Sequence, residues 1–273
     1  MIDLHLHTTA SDGTLTPSAL VSRAAAAGIT VLSVTDHDTT AGLAEARAAA
    51  ADAGILFVPG IEITAVENAR DVHILGYFFD PRSGPLAEFL ARQRADRVQR
   101  VVRIGERLRD LGLPIDIEPL LEAATQNSGR SVGRPQIADA LIRSGHVTDR
   151  DDAFDRLLGD DRPAFVPRTG VTPERVIDIV REAGGIASLA HPVLLQRDDL
   201  IPRLARAGLA ALEVCHSDHD EPAERHYREL AGLHGLAVSG GSDYHGDTGR
   251  HAAALGAVTL PALDFERLRA IAV

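Results

Sequence analysis

The chain has 273 residues and a formal net charge of −11, and 45% of its residues are hydrophobic. This length accommodates one large α/β domain or two smaller ones, and no apolar run approaches the roughly 20 residues that span a membrane. The acidic balance argues against a broad nucleic-acid-binding surface, and a single cysteine excludes an intramolecular disulfide and a cysteine-based zinc site.

All 28 basic residues are arginine. Without lysine, the chain cannot use a P-loop lysine, a Schiff base or a carbamylated lysine that bridges two metals. The opening residues, MIDLHLHT, carry an aspartate and two histidines and do not form a secretory signal. We therefore expect a cytoplasmic protein.

Strands and helices alternate in the first 83 residues. Thr16 followed by Pro17 predicts a capped helix start, and Gly28 predicts its end. The predicted elements are a strand over 2–7, a helix over 17–27, a strand over 30–37, a helix that stops near 54, and strands over 55–64 and 71–79.

The pattern then changes, because residues 84–164 predict helices without buried strands. One long helix is predicted from Leu86 to Leu111, and shorter ones over 134–143 and 151–158. We expect this segment to be an all-helical insertion that covers the mouth of the active site, between two parts of one barrel (1–83 and 165–273).

The alternation resumes at Thr172 and Pro173, another capped helix start. Strands are predicted over 185–192, 209–216 and 236–243, a last one near 257–260, and a closing helix from Asp264. Seven or eight short strands with crossover helices favour an α/β fold that resembles a parallel barrel.

Histidines and carboxylates recur where the predicted strands end. In α/β barrels the chemistry lies at the carboxyl ends of the strands, and residues two apart on a strand share a face. The polar residues at these positions are His5, His7, Asp12, Asp36, His37, Asp38, Glu62, His73, His191, Glu213, His216, Asp243 and His245. Imidazole and carboxylate without thiolate suit catalytic zinc, manganese or iron, so we predict a site of two or three divalent ions that attracts phosphate.

Six motifs stand in order at these strand ends: HLHTTASDGT (5–14), TDHDT (35–39), GIEIT (60–64), DVHILGY (71–77), LAHP (189–192) and GGSDYHG (240–246). With them, essentially the whole chain resembles the PHP (polymerase and histidinol phosphatase) family of metal-dependent phosphoesterases. It is most similar to the stand-alone enzymes that act on nucleoside 3′,5′-bisphosphates and on the 5′ ends of short RNA. The resemblance implies a distorted (β/α)7 barrel with a trinuclear metal site.

The resemblance also implies which residues bind metal and what they act on. The implied ligands are His5, His7, Asp12, His37, Glu62, His73, His191, Asp243 and His245. The implied cofactors are two to three divalent ions, manganese first and iron or zinc as alternatives. The implied reaction is attack of a metal-bridging hydroxide on a small phosphorylated substrate, such as a nucleotide or a short RNA 5′ end.

Several further residues are candidates for catalysis or substrate binding. Asp36 or Asp38 is expected to orient an imidazole, and His219 to contact phosphate or protonate the leaving group. Arg100, Arg103 and Arg134 are candidates for phosphate capture, while most other arginines of the long helix are expected to be solvated. Relatives often have a histidine in an RPHIA-like segment where this chain has Gln136, so an acid role there is in doubt. His146, His226, His234 and His251 are expected to be ordinary surface or helix residues.

Other functions remain open at this point. A histidinol-phosphate-type phosphatase would use the same metal chemistry with different pocket walls. A C–N amidohydrolase also opens with His-x-His on its first strand, but Asp12, Glu62 and His73 are surplus to its mononuclear form. Some PHP modules are non-catalytic polymerase domains, although no ligand is missing here. The oligomeric state is not readable.

Overall fold

The computed structural model describes residues 1–126, 129–247 and 251–272. Seven strands lie side by side in sequence order and form a nearly closed barrel, in which Leu6 pairs with Tyr244 through an isolated parallel bridge. The predicted α/β fold and seven-stranded barrel are confirmed. The strands are β1 (Ile2–Asp3), β2 (Val31–Val34), β3 (Leu56–Glu67), β4 (Arg70–Tyr77), β5 (Ile186–Leu189), β6 (Ala211–Cys215) and β7 (Ala237–Gly240).

Helices pack around the barrel and fill the segment between β4 and β5. The predicted caps are confirmed, because the hydroxyls of Thr16 and Thr172 accept hydrogen bonds from backbone N–H groups of the first turn, ahead of a proline. The helices are α1 (Pro17–Ala26), α2 (Leu43–Asp52), α3 (Gly84–Asp110), α4 (Glu118–Gln126), α5 (Arg134–Arg143), α6 (Arg150–Ala153), a π-helix (Phe154–Leu158), α7 (Pro173–Glu182), α8 (Pro192–Leu195), a 3₁₀ turn (Asp198–Leu200), α9 (Ile201–Arg206), α10 (Glu221–Leu233) and α11 (Ala262–Ala270).

The strands are not all parallel, which corrects the sequence-based expectation. β4 runs antiparallel to both β3 and β5, while the other neighbouring strands are parallel. β3 and β4 are joined only by Asn68 and Ala69, both with positive φ, in a two-residue hairpin loop. A parallel connection needs a dozen residues or more, so this loop forces β4 to reverse.

Two other strand predictions differ from the structure. The first strand is short, and just beyond it the Asp3 carboxylate accepts the backbone N–H groups of His5 and Ser242, so these two groups do not take part in strand pairing. The strand predicted near 257–260 is wrong. Those residues lie in turns and loop apart from an isolated bridge between Val258 and Leu255. The Leu260 N–H donates to the Ile2 carbonyl and holds this segment against β1.

The helical segment (residues 84–164) has its own apolar core, which contains Val101, Ile104, Ile137 and Leu141. The predicted long helix and the helix over 134–143 are confirmed as α3 and α5. Within the described ranges, no helix is both long and apolar enough to cross a membrane.

Three hydrogen bonds tie the start of α5 to the loop after β1. The Ser131 N–H donates to the Ala10 carbonyl at 2.9 Å, and Arg130 Nε donates to the Thr9 carbonyl at 2.7 Å. The Gln136 amide donates to the Ser11 carbonyl at 2.6 Å, while its oxygen accepts the Gly133 N–H. Gln136 therefore tethers the helical segment to the barrel.

Candidate metal centre

The chain after β1 shows how the barrel directs polar groups to one end. Side chains alternate between the two faces of an extended segment. Leu4 and Leu6 are fully buried in the apolar core, and His5 and His7, which alternate with them, point to the opposite side. The structure therefore contains the alternation of leucine and histidine side chains that the sequence predicts.

Glu62 lies at the centre of a cluster of imidazoles. It is buried on β3, and His73 on the antiparallel β4 reaches it as a diagonal cross-strand neighbour. Five imidazole nitrogens surround its two oxygens: His37 Nδ1, His7 Nε2 and His5 Nε2 at 3.0, 3.3 and 3.4 Å from Oε2, and His73 Nδ1 and His191 Nε2 at 2.7 and 3.0 Å from Oε1.

Asp243 and Asp12 complete the carboxylate set on the other side of His7. Asp243, a residue with φ of 51°, contacts His7 Nε2 at 3.2 Å and His216 Nε2 at 3.4 Å. Asp12 lies 3.3 Å from His245 Nε2 and 3.5 Å from His37 Nε2. All nine residues predicted as ligands therefore meet at one end of the barrel.

These residues fit a centre of more than one divalent ion. Buried polar atoms are normally hydrogen-bonded, yet six imidazole nitrogens here have no hydrogen-bond partner within residues 1–126, 129–247 and 251–272. They face oxygens at about the spacing of donors that share one metal. Donor groups that lie within 4.8 Å of one another are His7–Asp12–His37–His245, His5–His216–Asp243, His5–His7–Glu62, His37–Glu62–His73 and Asp243–His245–His251.

The electrostatics of the centre favour added positive charge. Burial lowers the pKa of His7, but contacts with Asp243 and Glu62 and the charge of Asp12 outweigh it and raise the pKa to about 10. Burial lowers the pKa of His37 to about 3, so this ring is neutral and able to bind a metal. The carboxylates thus recruit a proton to His7, which bound cations would displace.

Two histidines at the centre were not among the predicted ligands. The sequence places His216 at the end of a strand, and in the described ranges its Nε2 atom has no hydrogen-bond partner. The expectation that His251 is an ordinary surface or helix residue is wrong. Its Nδ1 atom lies 3.2 Å from Asp243 Oδ2 and its Nε2 atom 3.2 Å from Asp218 Oδ2. No periodicity marks His251 in the sequence, because it lies in a loop.

Asp36 supports the loop that carries Asp12. Its buried carboxylate accepts hydrogen bonds from the backbone and hydroxyl of Thr8 and from the hydroxyl of Ser11, at 2.6 to 2.8 Å. Burial raises the pKa of Asp36. Among the described contacts, none is a hydrogen bond or ion pair from Asp36 to an imidazole, so its catalytic role stays a prediction.

His219 lies beside His216, with ring centroids 5.4 Å apart. It is 8% exposed, and its Nδ1–H donates to the Val214 carbonyl at 2.7 Å. Burial lowers the pKa of His219, which leaves Nε2 unprotonated. The predicted role of His219 in contacting phosphate or protonating the leaving group stays a prediction.

Four arginines surround two carboxylates between the barrel and the helical segment, and we call this group the arginine cluster. Arg97 Nε lies 2.6 Å from Asp38, the neighbour of His37, and both side chains are buried. Burial opposes ionisation of Asp38, but Arg97 and Arg168 outweigh it and lower the pKa of Asp38. The cluster consists of Arg97, Arg100, Arg134 and Arg168 around Asp38 and Asp71.

The three arginines predicted to capture phosphate occupy different environments. Arg100 is only 5% exposed and pairs with Asp71, while Arg103 is exposed on α3. Arg134 also contacts Asp71 but borders a cavity of about 250 Å³ that His73 and His191 line. Of the three, Arg134 is therefore the one that shares a cavity with predicted metal ligands.

A second cavity, of about 520 Å³, borders a different set of predicted ligands. Asp12, His245 and His251 line it at the barrel, and Asp149 and Phe154 line it at the helical segment. Two solvent-accessible cavities therefore border the predicted metal ligands, and both are lined by arginine and aspartate: Arg134 and Asp71 in the first, and Arg150 and Asp149 in the second.

The arrangement of fold and ligands agrees with comparisons to known proteins. A family pattern described as the PHP domain matches residues 3–149. The chain belongs to the PHP family. The PHP protein is 36% identical over 252 residues to the 5′-3′ exoribonuclease Rnm of Escherichia coli (strain K12), which covers 89% of this chain and 84% of the relative. It is 35% identical over 258 residues to the 3′,5′-nucleoside bisphosphate phosphatase of Chromobacterium violaceum, which covers 91% and 89%.

A solved structure supports the same assignment. The crystal structure of a protein described as a metal-dependent phosphoesterase from Bifidobacterium adolescentis aligns with a TM-score of 0.90 at 33% identity. The alignment covers 100% of this chain and 96% of that one. This PHP protein is therefore a metal-dependent phosphoesterase, a hydrolase that acts on phosphoric esters, as the sequence motifs predict.

Proposed function

We propose that this PHP protein hydrolyses phosphate esters of nucleotides, namely nucleoside 3′,5′-bisphosphates, the 5′ end of short RNA, or both. The observation that carries the proposal is Arg134 in the cavity lined by His73 and His191. An arginine there can bind a second phosphate while the reacting phosphate lies at the metal centre. Two relatives that resemble the chain about equally carry names for these two activities.

The nine predicted residues, with His216 as a further candidate, would hold two to three divalent ions, manganese by preference. When bound, the ions supply a nucleophile at neutral pH and neutralise charge on the phosphoryl oxygens. Glu62 brings five imidazoles to one point, so it orders the ligands from several strands. Asp36 fixes the loop of Asp12 through Thr8 and Ser11.

Arg134 would bind the second phosphate, and the rest of the arginine cluster would hold Arg134 in place. Asp71 contacts Arg100, Arg134 and Arg168 within 3.4 Å. Burial opposes ionisation of Asp71, but the three arginines outweigh it and hold the pKa of Asp71 well below its usual range. Asp71 thus stays anionic and anchors the guanidinium that faces the cavity.

The test measures phosphate release from 3′,5′-bisphosphoadenosine with manganese, beside cleavage of 5′-phosphorylated short RNA and of histidinol phosphate. We expect hydrolysis of at least one nucleotide substrate, and Arg134→Gln to raise its KM by about tenfold, as loss of a charge-assisted contact does. Arg103→Gln, an exposed arginine on α3, is the control. Preference for histidinol phosphate, or an unchanged KM in Arg134→Gln, would contradict the proposal.

A further inference from the structure

Glu213 is a buried carboxylate outside the predicted ligand set, and both of its oxygens are used. It lies on β6 and is fully shielded from solvent. Its Oε1 atom is 2.8 Å from His5 Nδ1, and its Oε2 atom accepts the backbone N–H of His191 at 2.7 Å. One side chain therefore contacts two of the predicted ligands, which come from the first and fifth strands.

The contact with His5 fixes where that ring carries its proton. A carboxylate accepts hydrogen bonds, so the neutral imidazole places its proton on Nδ1. Its Nε2 atom then carries a lone pair. This atom lies 3.4 Å from Glu62 Oε2 and 3.3 Å from Asp243 Oδ1, and it has no hydrogen-bond partner among the described residues. Glu213 thus leaves His5 in the tautomer that can bind a metal at the centre.

The contact with His191 holds an unusual backbone conformation. The backbone of His191 has φ of 25° and ψ of 61°, which lies in the left-handed region that residues other than glycine rarely adopt. This turn after β5 brings His191 Nε2 to 3.0 Å from Glu62 Oε1. A backbone N–H bound to a buried carboxylate at this point favours the turn over relaxed alternatives.

We propose that Glu213 is a positioning residue of the metal centre, which sets the His5 tautomer and the His191 turn together. In this role it acts through its contacts with His5 and the His191 backbone. The proposal rests on the metal centre of the proposed function, but not on which phosphate ester is cleaved. It predicts that the amount and affinity of bound metal depend on a residue that is not itself a ligand.

The sharpest variant is Glu213→Gln, which keeps the shape of the side chain. An amide has one oxygen that accepts and one nitrogen that donates, so it can accept from only one of its two partners. If the oxygen faces His191, the amide donates to His5 Nδ1 and moves the His5 proton to Nε2. If the oxygen faces His5, the amide nitrogen opposes the His191 N–H and disfavours the turn. Either arrangement removes one metal donor.

We expect Glu213→Gln to bind manganese about 10- to 100-fold more weakly than the original protein, as loss of a partner behind a metal ligand does. Titration of the metal-free protein followed by manganese EPR measures this without any substrate. At saturating manganese the KM should stay close to normal. The matched control is Glu67→Gln, which removes a carboxylate paired with Arg203 at 2.6 Å, away from the centre.

Unchanged manganese affinity and stoichiometry in Glu213→Gln would overturn the proposal. If that variant does not fold, nitrogen NMR of the histidine rings in the original protein loaded with zinc, a diamagnetic ion, decides instead. We expect a His5 ring protonated at Nδ1 with its Nε2 atom bound to metal, and a His5 ring protonated at Nε2 would overturn the proposal. The proposed function fails separately: normal metal binding without hydrolysis of any nucleotide substrate contradicts the substrate assignment and leaves the role of Glu213 intact.

Discussion

The metal centre and the arginine cluster lie side by side, and both gather nitrogen-containing side chains around buried carboxylates. Around Glu62 these side chains are imidazoles, and several of their nitrogens have no hydrogen-bond partner in the part of the chain that the structure describes. Around Asp38 they are guanidiniums, with Arg97 Nε at 2.6 Å from the carboxylate. Guanidiniums carry permanent charge, whereas imidazoles become charged only by protonation. In the arginine cluster, arginines of the chain therefore neutralise the carboxylates. In the metal centre, the carboxylates require added cations for the same purpose.

The largest effect should come from removing the carboxylate at the centre. We expect Glu62→Gln to lower kcat/KM for phosphate release by at least about 10³-fold, because residues that act as one unit fail together. Metal content of the purified variant, measured by mass spectrometry, should fall in parallel. Retention of full metal content and activity would show that the ions bind elsewhere.

The arginine cluster should respond through stability. Arg97→Gln leaves Asp38 buried without its nearest partner, and breaking a buried ion pair in this way costs about 3–5 kcal/mol. Urea denaturation of the metal-free protein measures the change. Arg103→Gln, exposed on the same helix, should stay within about 0.5 kcal/mol. An equal loss of unfolding free energy in both variants would contradict the expectation that the buried arginine contributes more to stability than the exposed one.

Chelation separates the two regions more directly. Removing metal should lower the unfolding free energy by about 2.7 kcal/mol relative to protein at a metal concentration 100 times its Kd. The same shift should persist in Arg103→Gln and should shrink in Glu62→Gln, where little metal binds. A chelator without effect on the melting temperature would contradict a centre that requires external cations.

The smallest effect is the pH dependence of the cluster. Because the pKa of Asp71 is held below its usual 3.8, its stabilising contribution is complete above pH 3.8 and is lost as the pH falls below that value. Asp71→Asn should therefore flatten the decline of melting temperature between pH 4 and pH 3. Asp110→Asn, an exposed aspartate, provides the comparison, and identical slopes in the two variants would contradict the expectation.

Much of the centre is readable in the sequence because it depends on local pattern. His5 and His7 share a face through strand alternation, and motifs at strand ends are brought together by any α/β barrel. The reversal of β4 was missed because Asn68–Ala69 is not one of the common hairpin pairs, although the loop is too short for a crossover.

The arginine cluster could not be predicted in the same way. Arg97 and Arg100 lie on α3 at a spacing that is typical of an exposed stripe. In the structure they are buried and pair with Asp38 and Asp71, which come from distant parts of the chain. His251 and the supporting contacts of Glu213 likewise depend on pairs far apart in sequence. Partners that are far apart in the sequence can bury a residue without producing any local periodicity, so a single sequence does not show that the residue is buried.

The hydrogen bonds from Arg130, Ser131 and Gln136 to the loop after β1 bear on how the enzyme turns over. Two of their acceptors, Ala10 and Ser11, immediately precede Asp12, so the helical segment cannot lift from the barrel without disturbing a predicted ligand. We therefore expect substrate and product to pass through the two cavities beside the metal centre, without movement of the helical segment. Turnover would then be limited by chemistry or by diffusion through those cavities, without the delay that a hinged cover imposes.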